Sequence, residues 1–216
     1  MSTAPAKPKL YHITRLDNLA GMMDHGCVWS DAKRVELGLK CRLIGMNKIK
    51  QRRLERCEVD CHPGCKVGEF VPFYFCPRSV MLYILHKGNH IETSYKDGQR
   101  PIVHLRADLH TVVDWATKNE VTWAFSDRNA SANVASFYSD LRQLDNIDWE
   151  AVAAERWQEQ AVKEAKQAEF LVKDAFPWVL FEGIGVADEK IKAAVTGILE
   201  DNGVEMPVRV KPKWYY

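Results

Sequence analysis

The sequence predicts a single α+β domain, and three observations predict it. Segments of strand character and segments of helical periodicity are interspersed without the regular strand–helix–strand beat of a parallel sheet. No repeat recurs at a period of roughly 20 to 50 residues, and no long Gly/Ser- or Pro-rich linker divides the 216 residues. Hydrophobic residues at 46% and charged residues at 27% are ordinary globular proportions, which exclude a disordered, fibrous or collagen-like chain.

Residues 1–9, polar and rich in Ala, Pro and Lys, read as a loose arm before a domain over 10–216. The arm has no apolar core of the kind a secretory signal needs, so a cytoplasmic protein is expected, with its six cysteines as free thiols. Leu10, Tyr11 and Ile13 suggest a short strand. Thr14 and Asp17 have capping-box spacing ahead of a helix carrying Leu16, Leu19, Ala20 and Met23, with Gly26 as its stop. A Cys-, Pro- and Gly-containing loop over 57–68 precedes the apolar run Phe70–Phe75, a buried strand in which Pro72 marks an edge or an irregularity. That run is the longest apolar stretch and far short of the roughly 20 residues of a membrane helix.

Ser79 is placed to cap a helix containing Met81, Leu82, Ile84 and Leu85. After a polar loop over 89–99, Ile102 to Leu105 reads as a strand, 109–116 as a helix and 121–125 as a strand. Residues 130–168 are helix-prone, with Glu159 and Lys163 as an i,i+4 pair. Strands at 170–172, 179–186 and 208–210 and a helix at 189–200 complete the chain.

The net charge of +1 conceals a cancellation. Residues 33–56 hold nine Lys and Arg against two Glu, a local charge of +7, which leaves −6 for the rest of the chain. A basic run is usually a solvated face, yet Arg52, Arg53 and Arg56 are dense enough to serve a phosphate. Glycine-rich nucleotide loops, a His-Glu-x-x-His helix and a Gly-x-Ser-x-Gly elbow are absent, which disfavours Rossmann enzymes, P-loop ATPases, zincins and α/β-hydrolases.

Cys57, Cys61, His62 and Cys65 are chemically adequate for zinc, but they crowd one loop where structural sites use two separate knuckles, so free cysteines are the favoured reading and no metal is expected. In Gln167-Ala168-Glu169, a strand begun by residue 167 would send Gln167 and Glu169 to one side. A carboxylate there would suit a positively charged ribosyl transition state; the competing reading is a solvated Glu ending a helix. His12 beside Thr14 is by spacing more often structural than a ligand contact. Phe73, Tyr74 and Phe75 read as core, unless one faces a groove and stacks a base.

Taken together, Tyr11–Leu19, Arg52-Arg53, Val71–Ser79 with Met81–Tyr83, Pro101–Leu105, Gln167–Leu171 with Phe176–Trp178, and Trp214–Tyr216 resemble, in that order, the DarT family from about residue 10 to the end. The resemblance implies an ADP-ribosyltransferase fold with a mostly antiparallel split sheet. It implies a bacterial toxin that uses NAD to attach ADP-ribose to a base of single-stranded DNA, countered by a DarG antitoxin with a macrodomain. Carried over, His12, Ile13, Thr14 and Gly21 bind NAD, Arg53 orients it and helps activate the base, and Glu169 is the catalytic glutamate. Gln167 hydrogen-bonds an amide-like base edge, and DNA runs past Lys48, Arg78, Ser79, Met81, Lys163 and Lys166. Met46, Lys48 and Asn129 depart from the thymidine-modifying pattern, as does Ser126 in Ser126-Asp127-Arg128, which leaves thymidine and guanosine both open. Modification of RNA or protein, or a noncatalytic nucleic-acid-binding module, stand as alternatives.

Overall fold

A computed structural model describes residues 3–216. Its centre is an eight-stranded sheet. In chain order the strands and helices are β1 Lys9–Arg15, α1 Leu19–Asp24, β2 Cys27–Trp29, α2 Asp31–Glu36, α3 Asn47–Glu55, β3 Phe70–Tyr74 and α4 Val80–Lys87. There follow β4 Ile102–Asp108, α5 Leu109–Lys118, β5 Trp123–Ser126, β6 Phe137–Tyr138, α6 Trp149–Ala153, α7 Gln160–Ala165, β7 Glu169–Lys173, β8 Ala175–Pro177, β9 Phe181–Val186, α8 Glu189–Asp201 and β10 Val208–Val210. The sheet order is β10-β9-β4-β1-β3-β7-β5-β6, antiparallel except for β9 with β10, and β2 and β8 form a separate antiparallel pair.

The sheet is split at its middle. β1 and β4 pair from Lys9–Asp108 to Arg15–Ile102, whereas β1 meets β3 only at Tyr11–Tyr74. Pro72 explains part of this, because it has no N–H to offer a ladder. β3 is thus an inner strand, and the irregularity expected at Pro72 is the split itself. On the other side β3 pairs with β7 from Phe70–Lys173 to Tyr74–Glu169. Apolar faces of α5 (Leu109, Val112, Val113) and α8 (Ile191, Val195, Leu199) share one core with Phe73, Phe176 and Phe181, which holds both halves of the sheet in register.

Several expectations are corrected. Part of the loose arm at 1–9 lies outside the described residues; of the rest, the Ala4 N–H donates to Asp145 at 2.9 Å, Pro8 is buried and Lys9 belongs to β1. The capping box at Thr14 does not form. A 3-10 turn over Leu16–Asn18 intervenes before α1, and Thr14 Oγ1 accepts from Asn18 Nδ2 at 3.0 Å instead. Residues 130–168 form no long helix: Asp140 and Asp148 each cap a new short element, and Trp149 is buried, so the chain is pinned into separate turns. Ser79, by contrast, caps α4 as expected. Among the described residues no helix is long and apolar enough to cross a membrane.

His104 on β4 is fully buried and donates from Nε2 to the Pro77 carbonyl at 2.9 Å, which leaves Nδ1 facing the Tyr215 hydroxyl at 3.2 Å. Burial pushes its pKa down from 6.5 to about 4. Below the unfolded value the unfolded chain takes up a proton that the folded chain refuses, so stability is lost as pH falls from 6.5 towards 4. The expected loss from this group between pH 7 and 5 is about 2 kcal/mol. It is checked by urea midpoints at pH 7 and 5, where His104→Gln should flatten the decline.

Candidate active site

Glu169 opens β7, opposite Tyr74 on β3. Its N–H donates to Ser126 Oγ at 3.2 Å, and that hydroxyl donates to the Arg128 carbonyl at 2.6 Å, so the strand start is fixed from β5. The Glu169 side chain is only 1% exposed. Its two oxygens receive a bidentate clamp from Arg53, Nη1 to Oε1 at 3.2 Å and Nη2 to Oε2 at 2.8 Å, and Oε1 also accepts the Ala130 N–H at 2.9 Å. A buried charge needs such partners, because desolvation without them costs several kcal/mol.

Arg53 comes from α3, within the basic segment. Gly68 lets that helix approach: a Cβ there would lie 2.8 Å from Leu54 Cα. Burial opposes the Arg53 charge, but the Glu169 carboxylate outweighs it and the guanidinium pKa is raised. Burial and then the Glu169 charge raise the Tyr74 hydroxyl, which therefore stays protonated at neutral pH.

A cleft of about 370 Å³ opens along the split, within the range of small-molecule sites. Its lining brings together His12, Ile13, Thr14, Gly21 and Arg53, with Glu169 just behind Arg53. His12 Nδ1 donates to the Pro72 carbonyl at 2.9 Å, across the gap between β1 and β3. Since a carbonyl only accepts, Nδ1 carries the proton and Nε2 is left as an acceptor. Burial, aided by Lys50, lowers the His12 pKa and favours that neutral form.

Arg34, Lys40, Arg42, Lys50 and Arg53 line the same cleft against Asp17 and Asp31. The excess of cations with apolar residues such as Met22, Ile44 and Ile49 suits a diphosphate flanked by flat rings. Asn18 fastens the basic loop to this frame: its Oδ1 accepts the Arg42 N–H at 2.8 Å and its Nδ2 donates to Thr14 Oγ1 and the Arg42 carbonyl, each at 3.0 Å. Asp31 grips Lys50 through both carboxylate oxygens at 2.7 Å. Burial opposes the Asp31 charge, but Lys50 prevails and holds the carboxyl below its usual range. Asn18, Asp31 and Lys50 escape the sequence reading as site residues, although Ser30 as the cap of α2 with Asp31 in its first turn carries a helix-start signal.

The residues expected along DNA divide. Met81 and Gln167 line the cleft, and Asn129 stands beside Gln167, donating to its Oε1 at 3.4 Å. Strand β7 begins at 169, so Gln167 belongs to the turn after α7 rather than to the strand; its amide donates to the Lys163 carbonyl at 2.9 Å. Lys48 is exposed, 3.6 Å from Glu92, and Arg78 and Lys163 are half-buried. Two expectations fail. Ser79 is fully buried, its hydroxyl accepting the Leu82 N–H at 3.2 Å, and Lys166 is buried with its ammonium donating to the Val152 carbonyl at 2.7 Å. Neither can meet a phosphate.

The cysteine loop holds no metal geometry: among the described residues no three His, Cys, Asp or Glu side chains are arranged around a cation. His62 Nε2 donates to the Trp123 carbonyl at 2.8 Å, Cys65 accepts from Lys173 at 3.0 Å, and burial pushes the Cys61 thiol up to about 11. Phe73 and Phe75 are core residues, while Tyr74 faces the cleft.

With this geometry in place, the similarities are specific. The family described as "ssDNA thymidine ADP-ribosyltransferase, DarT" matches residues 11–216. A DNA ADP-ribosyl transferase of Thermus aquaticus is 38% identical over 98% of this chain and 90% of its own. The structure of Thermus sp. 2.9 DarT in complex with ADP-ribosylated ssDNA aligns with a TM-score of 0.89 at 36% identity, covering 100% of this chain and 99% of that one. Its complex with NAD+ aligns at 0.86 with 35% identity over 99% and 100%. A DNA ADP-ribosyl transferase-DNA ADP-ribosyl glycohydrolase fusion protein of Thermosipho africanus is 25% identical over 98% of this chain and 50% of the fusion.

Proposed function

The chain belongs to the DarT family, and from that premise we propose that it is the toxin of a toxin–antitoxin pair, acting on thymidine with Glu169 and Arg53 at its reacting centre. Its activity is NAD-dependent transfer of ADP-ribose to single-stranded DNA, with release of nicotinamide. The domain over 10–216 carries that activity. The observation that supports the site is the buried Glu169 carboxylate, clamped by the Ala130 N–H and by Arg53, which separates it from a cation-lined cleft.

NAD supplies the ADP-ribosyl group through its nicotinamide–ribose bond. Arg34, Arg42 and Lys50 are disposed to meet its diphosphate, and the bare Nε2 of His12 accepts a hydrogen bond from a ligand hydroxyl or amide. Glu169 holds a ribose hydroxyl and stabilises positive charge developing on the ribosyl carbon; in a site screened from water that stabilisation is worth more than in solution. To reach the ribose, one Glu169 oxygen has to be released from the Arg53 fork, which then turns towards the acceptor base. Gln167 and Asn129 line the cleft side by side, and we assign to their amides, once released from each other, the imide edge of thymine, a donor flanked by two acceptors. A partner that removes the modification, of the DarG macrodomain kind, is in keeping with the fused glycohydrolase of the Thermosipho relative. The cytoplasm, where single-stranded DNA arises in a bacterium, is the compartment this activity requires.

Gly21 gives a test of the NAD assignment. A Cβ there meets nothing within 4 Å, so Gly21→Ala should raise stability by up to about 1 kcal/mol through helix propensity. The same methyl intrudes on bound NAD, and its KM should rise about tenfold. A thermal midpoint and a KM moving in opposite senses is the expected result. For the function as a whole, labelled NAD is incubated with DNA, RNA and protein pools: label in single-stranded DNA is expected, and label confined to protein or RNA would overturn the reading.

A further inference from the structure

Beside the mouth of the cleft, α4 presents a second face. Met81 and Ile84 line the cleft, while Tyr83 packs edge-to-face against Trp157 (centroids 5.0 Å, 90°) and against Tyr216 (5.0 Å, 69°). Trp157 also meets Tyr216 at 6.3 Å and 80°. All three rings are half-buried, so each keeps part of its surface open to solvent. The Arg78 guanidinium lies 4.3 Å above the Tyr216 ring, and Lys87 Nζ lies 5.4 Å from the Tyr83 ring.

Neither cation has a carboxylate partner among the described residues, and Arg78 Nε is buried without a hydrogen bond. Arg78 is therefore a charge held in place by a ring, not by an ion pair. The Tyr216 hydroxyl donates to the Arg78 carbonyl at 2.9 Å, which locks ring and arginine together. Aromatic faces interleaved with unpaired cations are the physical signature of single-strand binding: every base has a π-face to stack, and the cations follow the phosphates.

We propose that Tyr83, Trp157 and Tyr216, with Arg78 and Lys87, form a stacking platform for the single-stranded DNA bases flanking the acceptor nucleotide. A strand leaving the cleft past Met81 meets these rings within one turn of α4. This rests on the reading of the cleft as a DNA-modifying site, and it assigns the DNA contact to aromatic residues instead of the buried Ser79 and Lys166.

The test uses the full chain and two oligonucleotides with one acceptor, one with intact flanking bases and one with abasic flanks. In NAD-dependent transfer, the abasic flanks should raise the wild-type KM about tenfold with kcat within about twofold. Trp157→Leu should raise KM by a similar factor on the intact oligonucleotide and add little on the abasic one, whereas Trp157→Phe keeps the wild-type preference. Tyr83→Leu provides a second variant with the same expected pattern. A wild type indifferent to abasic flanks, or a variant impaired equally on both oligonucleotides, would overturn the platform. A wild type that modifies neither oligonucleotide would instead overturn the DNA reading on which it stands.

Discussion

Glu169→Gln lowers the rate of ADP-ribosyl transfer by about a hundred- to a thousandfold, with KM for NAD changed far less, because the substitution removes charge that acts only as the ribosyl cation develops. Glutamine is the informative choice. It keeps an acceptor for the Ala130 N–H, which donates to Oε1 at 2.9 Å, and nearly the volume of a side chain that is 1% exposed. Both substitutions remove the countercharge of Arg53, whose side chain is only 13% exposed, but alanine also opens a cavity and strands the Ala130 N–H, so lost activity would be further confounded with lost structure. Steady-state transfer measured alongside circular dichroism and a thermal midpoint separates the two. A folded Glu169→Gln protein with wild-type turnover would remove Glu169 from the reaction.

Arg53 carries the second large effect, on stability as well as activity. Arg53→Leu strands the Glu169 carboxylate behind the cleft, and breaking a buried pair from one side costs about 3–5 kcal/mol. Arg53→Lys keeps the charge but cannot make the parallel contacts at 3.2 and 2.8 Å, so intermediate stability and a large loss of transfer are expected. The double variant Arg53→Leu with Glu169→Gln removes both charges. Its stability should return towards wild type while transfer stays absent, a non-additive cycle that reports the direct coupling of the two groups. Urea midpoints of the wild type, Arg53→Leu, Glu169→Gln and the double variant check this; additive destabilisation would mean that the pair does not interact as its geometry implies.

The centre of this site is legible in the sequence to an unequal degree. Gln167-Ala168-Glu169 stands where a charged segment gives way to an apolar strand, and Arg53 lies in the densest part of the +7 segment, but spacing and charge alone favour a solvated Glu and a solvated basic face; the roles expected of both residues come from the DarT resemblance. His12 and Thr14 read locally as structural, and their expected contact with NAD likewise comes from the resemblance. What joins these parts is long-range. Arg53 and Glu169 are 116 residues apart, and no local pattern announces their clamp. The Pro72 irregularity is visible, but that it opens the sheet between β1 and β3 follows only from the pairing of both strands.

The failures have equally physical causes. Ser79 and Lys166 are polar residues near the expected DNA path, and residue type alone does not tell a solvated hydroxyl or ammonium from a buried one. Ser79 is consumed by capping α4, and Lys166 by the Val152 carbonyl. The helix expected over 130–168 is undone by Asp140 and Asp148, whose side chains offer the backbone local caps that compete with a continuous helix. Asn18 and Asp31 act by holding other residues in place, a role with no compositional mark.

Mass spectrometry of a short single-stranded oligonucleotide after incubation with NAD is the decisive measurement of the activity, because one spectrum reports donor, acceptor class and modified base. The expected spectrum shows the added mass of a single ADP-ribosyl group, located by fragmentation on a thymine, and no such mass with Glu169→Gln. An unmodified oligonucleotide, or an adduct that Glu169→Gln forms as readily as the wild type, would contradict it.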